Sequence, residues 1–363
     1  MNDLEGLLRE QIAHGPITFA EYQATALYHP ELGYYARHRR SGWRGHFLTS
    51  AELDPSFGAL WAVGFRRTWE TLGRPPSFEL IEVGPGEGGF ANSVLGVVDG
   101  PFADALTYRL VEPIPALAER QMSLLSTYDN VVWSASIDEV VAVPYGVVMA
   151  NEVLDNLPVH LLEFRAGEFA ELYVSASESG LEFTPGPLSD LDLLHLLPAA
   201  DFDLSEGHRL EVGPAAVDFV RSCGAGVKAG SVVLVDYGLT WRDLADRPAG
   251  TLVSYSDAGT DDAVLDRPGE KDITSHANWD VVGPALRSEG FDVSGPTSQR
   301  EVLRDLGLPS LERSLAERHR NLAAQGRGAE ALRTLSRRQA LSVLGDPEGG
   351  LGGLDVMTGR RGI

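Results

Sequence analysis

A single cysteine, Cys223, among 363 residues excludes an intrachain disulfide and a cysteine-based zinc site. Its setting, Phe219-Val-Arg-Ser-Cys223, reads as a helix face, where a lone cysteine serves as a small buried hydrophobe. Lysine is nearly as scarce: Lys228 and Lys271 alone among 30 basic residues, set against 52 acidic ones, for a net charge of −22. So acidic a chain lacks the footprint of a nucleic-acid binder, although it suits a cationic substrate. No run of about 18 apolar residues occurs, so no membrane-spanning helix is expected. The opening stretch, Met1 to Gln11, is acidic with one arginine, unlike a secretory signal or an Arg-rich transit peptide, and a cytoplasmic location is expected. The nine histidines show no H-x₃-H pairing, so no metal is expected. There is no G-x-S-x-G nucleophile elbow either.

What is present is an ordinary globular composition, 43% hydrophobic and 23% charged, in a chain long enough for one large elaborated domain or two. Residues 1–45 read as helical and then loop-like, broken at Gly15-Pro16 and His29-Pro30. Pro55 to Gly73 reads as one amphipathic helix, with Phe57, Leu60, Trp61, Phe65 and Leu72 at three- and four-residue steps. Strands and helices then alternate. Strand patterns fall at 78–83, 108–112, 131–133, 147–150 and 231–235, with helical patterns at 90–98 and 114–126 between them. This is the signature of an α/β fold with a doubly wound, mostly parallel sheet. Right-handed crossovers collect the strand C-termini on one edge, where ligands bind. The stretch 157–230 interrupts the alternation with a hairpin around Ala166-Gly167 and a helix at 215–223. Residues 309–344 are helical. Phe291-Asp-Val-Ser294 and Leu354-Asp-Val-Met357 read as strands that pair antiparallel at the sheet edge, with those helices between them.

The first strand closes on Gly84-Pro-Gly86-Glu-Gly88-Gly89. Taken as Gly84, Gly86 and Gly89 it matches a dinucleotide fingerprint, with Glu112 near the ribose position. Taken as Gly84, Gly86 and Gly88, after Glu82, it matches the turn of S-adenosyl-L-methionine (SAM)-dependent methyltransferases. Charge favours the second: pyrophosphate wants uncompensated backbone N–H groups, whereas Glu82 and Glu87 suit a cationic ammonium and sulfonium. Glu112, ending the second strand, would accept hydrogen bonds from the ribose of either cofactor.

The chain resembles the MidA family of class I SAM-dependent methyltransferases, whose mitochondrial members assist respiratory complex I assembly. The resemblance runs nearly end to end. It is carried by Gly15-Pro-Ile-Thr-Phe-Ala-Glu-Tyr22, Tyr28-His-Pro-Glu-Leu-Gly-Tyr-Tyr35, Gly45-His-Phe-Leu-Thr-Ser-Ala-Glu52 and Glu82-Val-Gly-Pro-Gly-Glu-Gly88. It continues through Leu110-Val-Glu112, Ala150-Asn-Glu-Val-Leu-Asp-Asn-Leu-Pro-Val159, Val235-Asp-Tyr-Gly238, Gly250-Thr-Leu252 with Tyr255, and Pro268-Gly-Glu-Lys-Asp-Ile-Thr-Ser-His276. Departures lie on the acceptor side: His46 and Ala51 replace the family's Asp and Pro, Ala277-Asn278-Trp279 replaces Val-Asp-Phe, and the His beyond Tyr255 is missing. The resemblance implies a Rossmann-like methyltransferase with SAM as cofactor, acting on a protein arginine side chain. A small-molecule O- or N-methyltransferase, or a SAM-binding assembly factor with weak or no catalysis, stands as the alternative.

Methyl transfer needs an aligned nucleophile and a group to hold or deprotonate it. Glu152, Asp155 and His276 are the candidate catalytic residues. Carboxylates at Glu152 and Asp155 would grip a guanidinium; alternatively, Asp155 caps a short helix. Candidate cofactor contacts are Glu82, Gly84, Gly86, Gly88, Glu112, Pro113, Ser136, Ile137, Asn151, Thr49 and Ser50. Tyr34, Tyr35 and Phe47 are candidates for the pocket wall. The expected organisation is an N-terminal helical cap (1–75), the SAM-binding domain (76–156 and 231–308), an insertion (157–230), a helical insertion (309–348) and a C-terminal strand (349–363). A homodimer is expected, with neither nucleic acid nor membrane as partner.

Overall fold

The computed structural model describes residues 3–37, 49–198, 204–346 and 351–363. Among these, seven strands build one central sheet: β1 (Phe78–Val83), β2 (Leu106–Val111), β3 (Val131–Ser134), β4 (Val143–Asn151), β5 (Val227–Asp236), β6 (Asp292–Ser298) and β7 (Asp355–Arg361). Their spatial order is β3-β2-β1-β4-β5-β7-β6. The first five pair in parallel, while β7 runs antiparallel to both β5 and β6.

The inner strands are buried on both faces, which is why they read as unbroken apolar runs. Alternation splits them: Val147, Met149, Val233 and Val235 face one side, and Val148, Ala150, Val232 and Leu234 the other. The amphipathic helix Ser56–Thr71 covers the first side with Phe57, Leu60, Trp61 and Phe65, each such side chain contributing roughly 2 kcal/mol of burial. Helices Pro214–Ala225 and Trp279–Ser288 cover the second. Layers on both sides make the fold doubly wound.

The two strands pair antiparallel as expected, but in another register: Asp292 faces Arg360 and Ser294 faces Thr358, while Val356 and Asp355 face Thr297 and Ser298. The placement of the pair differs from expectation too. Of these two strands β6 alone is an edge; β7 extends to Arg361 and lies between β5 and β6. The polar Thr358-Gly-Arg-Arg361 hid that extension in the sequence. Helices Gln299–Leu306, Leu308–Ala324 and Gly328–Leu344 connect β6 to β7.

Between β4 and β5, His160–Arg165 and Glu168–Ala176 form the expected hairpin. Ala166 and Gly167 turn it with φ of 50° and 89°, the two positive values that a tight right-twisted hairpin requires. Beyond the hairpin, the second strand pairs with Leu181–Gly186 and, on its other side, with Ile17–Thr18. The N-terminal segment therefore supplies a strand as well as helices. A capping box of Thr18 and Glu21 starts helix Phe19–Tyr28. That helix buries Phe19, Tyr22 and Leu27 against Leu161, Leu172 and Ile273. The same core carries Tyr28 and Tyr35, which reach the C-terminal edge of the central sheet. Among the described residues, no helix is long and apolar enough to cross a membrane.

Candidate active site

Strand order reverses between β1 and β4, so the crevice beyond their C-terminal ends is where a ligand is expected. The three central strands end level: Val83 pairs with Val111 on one side and Ala150 on the other. Gly84, Glu112 and Asn151 thus emerge side by side. A cavity of about 310 Å³ opens there. Gly84 and Gly86 form its floor, Glu112 to Ile114 one wall, Ser136 and Ile137 a second, and Glu152 with Tyr28 and Tyr35 a third. A cavity of about 440 Å³ lies between helix Ser56–Thr71 and helix Gln299–Leu306, away from the strand ends.

The glycine turn is shaped for close approach. Gly84, Gly86 and Gly88 have φ of 68°, 55° and 83°, values that only glycine adopts without strain. A Cβ on Gly84 would sit 2.7 Å from Val153 Cγ2, whereas one on Gly86 would project into open space. The Gly86 carbonyl accepts from Gln121 Nε2 at 2.7 Å, and the same nitrogen donates to Glu112 Oε2 at 3.1 Å. Glu112 Oε1 accepts from the Ile114 N–H at 2.9 Å. Gln121 therefore locks the turn to the ribose-type carboxylate. Sequence reading missed it, although a glutamine one turn after Leu117 on a buried helix face was a signal. The cradle and the fixed carboxylate fit a nucleoside cofactor whose chain must lie against bare backbone.

The two acids that favoured SAM on charge are placed otherwise. Glu87 is neutralised by Arg120, at 2.9 and 3.1 Å. Glu82 lies outside the cavity walls and accepts from the Tyr108 hydroxyl at 2.6 Å. Burial pushes its carboxyl up to about 8. Neither acid presents a free charge to the cavity, so the cofactor reading rests on shape and on Glu112.

The other wall is assembled from distant segments. Glu152 follows β4 with φ of 54°, a conformation that costs a non-glycine residue about 1–3 kcal/mol and concentrates at functional sites. Its Oε1 accepts from the Ser50 N–H at 3.1 Å and Asn151 Nδ2 at 3.0 Å. Ser50 and its N-cap Thr49 are thereby brought beside Glu152. Gln299 Nε2 holds the Ser50 hydroxyl at 2.9 Å. Asp155 is buried in the short helix Leu154–Asn156, but it does not cap it. Asp236 does: its Oδ2 accepts from the N–H groups of Val153, Leu154 and Asp155 at 3.0, 2.7 and 3.2 Å. Its Oδ1 accepts from the Tyr237 N–H at 2.8 Å. Burial, and then Glu152, push Asp236 above the usual carboxylate range against the pull of those donors. Tyr237 is raised, first by burial and then by the charges of Glu152, Tyr255, Asp155 and Asp236. Asp272 accepts from Tyr35 and Asn156 at 2.8 and 3.1 Å, fixing the third wall.

His276 is not brought to the cavity. It lines a separate small cavity, stacks on Tyr237 with ring centroids 6.1 Å apart, and is held down to about 4 by burial and Arg247. Asn151 and Gly88 also lie outside the larger cavity's lining. Tyr34 is buried beside Tyr35, and Phe47 falls outside the described residues.

A parallel sheet with an antiparallel seventh strand between its fifth and sixth, carrying a glycine cradle and a fixed carboxylate at the switch point, defines a class I methyltransferase. The comparisons agree. The family model for S-adenosyl-L-methionine-dependent methyltransferases matches residues 60–297, and the chain belongs to that family. SAM is its cofactor. Similar proteins include the mitochondrial protein arginine methyltransferase NDUFAF7 homolog of Caenorhabditis elegans, 29% identical over 87% of this chain and 79% of that protein. The mitochondrial protein arginine methyltransferase NDUFAF7 of Danio rerio is 28% identical over 85% of this chain and 77% of its own length. A COG1565 superfamily member of Burkholderia thailandensis, solved with S-adenosyl-homocysteine bound, superposes with a TM-score of 0.86 at 27% identity, over 99% of this chain and 92% of that one.

Proposed function

We propose that this chain methylates a guanidinium nitrogen of an arginine side chain in a protein. The position of Glu152 carries this reading. It lines the same cavity as Gly84, Gly86 and Glu112, and Asp236 holds the short helix that follows it, Asp155 included. The names of the relatives support the acceptor class.

When bound, the cofactor supplies an electrophilic methyl group on a sulfonium. The bare backbone of Gly84 and Gly86 would admit its methionine part, and Glu112 would hold the ribose hydroxyls. Glu152, fixed by Ser50 and Asn151, accepts charge-assisted hydrogen bonds from the guanidinium and turns one nitrogen toward the methyl group. A guanidinium nitrogen that takes up a methyl group must shed one proton, and a carboxylate of this cluster would accept it. Incubating the protein with host lysate and methyl-labelled SAM tests this. Label released as methylarginine on hydrolysis of a protein band is the expected result. Label confined to small molecules overturns it in favour of a small-molecule acceptor; no label anywhere favours an assembly factor. A cytoplasmic location, supported by the scarcity of cysteine, and a homodimer belong to the same reading, and fractionation and sedimentation check them.

A further inference from the structure

Three buried polar atoms lack a hydrogen-bond partner among the described residues and belong to residues around one cavity: Glu211 Oε2, His276 Nδ1 and Asn278 Nδ2. That cavity measures about 30 Å³, room for about one water. The chemistry of two of the three atoms is already fixed. Glu211, 5% exposed, uses Oε1 to accept from the N–H groups of Thr251 and Leu252 at 2.7 and 3.2 Å. Burial raises its carboxyl and those donors pull it back down; as the carboxylate, its Oε2 is left as an acceptor. Asn278 uses Oδ1 to cap helix Trp279–Ser288, accepting from the Asp280 N–H at 3.0 Å. Its Nδ2 is therefore a donor and cannot be exchanged by an amide flip. A cation would face that donor, and an anion would face the Glu211 carboxylate. Water meets both demands, accepting from Asn278 and donating to Glu211. Its second hydrogen is then satisfied by an unprotonated His276 Nδ1, which puts the ring proton on Nε2.

The segment bearing His276 ties this cavity to the acceptor wall. Ser275 N–H donates to the Asp155 carbonyl at 2.8 Å, His276 N–H to Thr251 Oγ1 at 3.0 Å, and Ala277 N–H to the Tyr237 carbonyl at 2.8 Å. The His276 ring stacks on Tyr237. We infer that a buried water bridging Glu211, His276 and Asn278 fixes His276 as its Nε2–H tautomer and so sets Tyr237 beside Glu152. Glu211, His276 and Asn278 are then positioning residues for methyl transfer, and His276 is not its base. The positioning role rests on the function proposed above; the water and the tautomer do not.

A high-resolution crystal structure of the full chain, with ¹⁵N spectra of its histidine rings in the presence of S-adenosyl-homocysteine, tests the inference. A water within hydrogen-bond distance of all three atoms and an Nε2–H His276 are expected. Asn278→Asp keeps the helix cap but replaces the donor by an acceptor. The water must then donate to both carboxylates, so His276 should switch to Nδ1–H. Glu211→Gln turns an amide donor into the cavity and should leave Nε2–H in place; it keeps the test open if the first variant fails to fold. No water, an Nδ1–H ring in the unaltered chain, or a tautomer indifferent to Asn278→Asp overturns the inference. Turnover of Asn278→Asp should fall roughly tenfold, the scale of one misdirected hydrogen bond, at unchanged affinity for S-adenosyl-homocysteine. Unchanged turnover with a switched tautomer removes the positioning role. Failure of the unaltered chain to methylate protein counts instead against the function proposed above.

Discussion

The two walls of the cavity are built in opposite ways. The cofactor wall is local: strand, glycine turn and helix within 78–95, locked to Glu112 by Gln121. It works through bare backbone and one hydrogen-bonded carboxylate. The other wall presents Glu152 to the cavity and backs it with Ser50, Asp155, Asp236, Tyr237, Tyr255 and Asp272, drawn together from five separate stretches. It concentrates carboxylates in a buried place, which is costly without donors. The backbone N–H groups around Asp236 meet part of that cost. On the function proposed above, the wall for the cofactor needs shape, whereas the wall for a cationic acceptor needs carboxylates.

Breaking the acceptor wall at its anchor should have the largest effect on the fold. Asp236→Ala leaves four backbone N–H groups without their acceptor and should cost about 3 kcal/mol or more, read from urea unfolding. A loss under about 1 kcal/mol would mean that Asp236 is not the anchor. Next comes the cofactor wall. Gly86→Val forces a β-branched residue to positive φ, at about 1–2 kcal/mol, and fills open space in the cradle. Calorimetry should show affinity for S-adenosyl-homocysteine reduced by about tenfold or more in a folded protein, and unchanged affinity would move the cofactor elsewhere. The smallest effect concerns Glu82, which belongs to neither wall. Its carboxyl ordinarily titrates near 4.5 and is pushed to about 8 in the fold. Between those values the unfolded chain releases a proton that the folded chain keeps, so stability falls as pH rises through this window. Glu82→Gln preserves a partner for Tyr108 and removes that slope. Its melting temperature should gain on the unaltered chain by a few degrees from about pH 5 to about pH 8; an advantage that shrinks instead would show that Glu82 is ionised in the fold.

Legibility in the sequence follows the same division. The strands of the central sheet, the glycine turn and Glu112 could be read because each is a contiguous pattern imposed by burial on both faces or by a tight turn. The electrostatic reason given to Glu82 and Glu87 could not survive, since sequence does not show that Arg120 pairs with one and Tyr108 with the other. Glu152 and Asp155 were legible as carboxylates at a strand end. Asp236 as the cap of their helix was not, because it lies 81 residues beyond Asp155 and only the register of β4 against β5 brings them together. His276 looked like a base by residue type, and its burial behind Tyr237 became visible only in three dimensions.

The division between the walls is tested most directly by Glu152→Gln, with cofactor affinity and turnover measured on the same preparation. The substitution keeps shape and removes charge. Affinity for S-adenosyl-homocysteine should stay within about twofold, while turnover on a methylarginine-forming substrate should fall by about 10²-fold, the worth of one charge-assisted hydrogen bond of roughly 2–3 kcal/mol. Loss of cofactor affinity, or turnover left intact, would contradict the assignment of Glu152 to the acceptor.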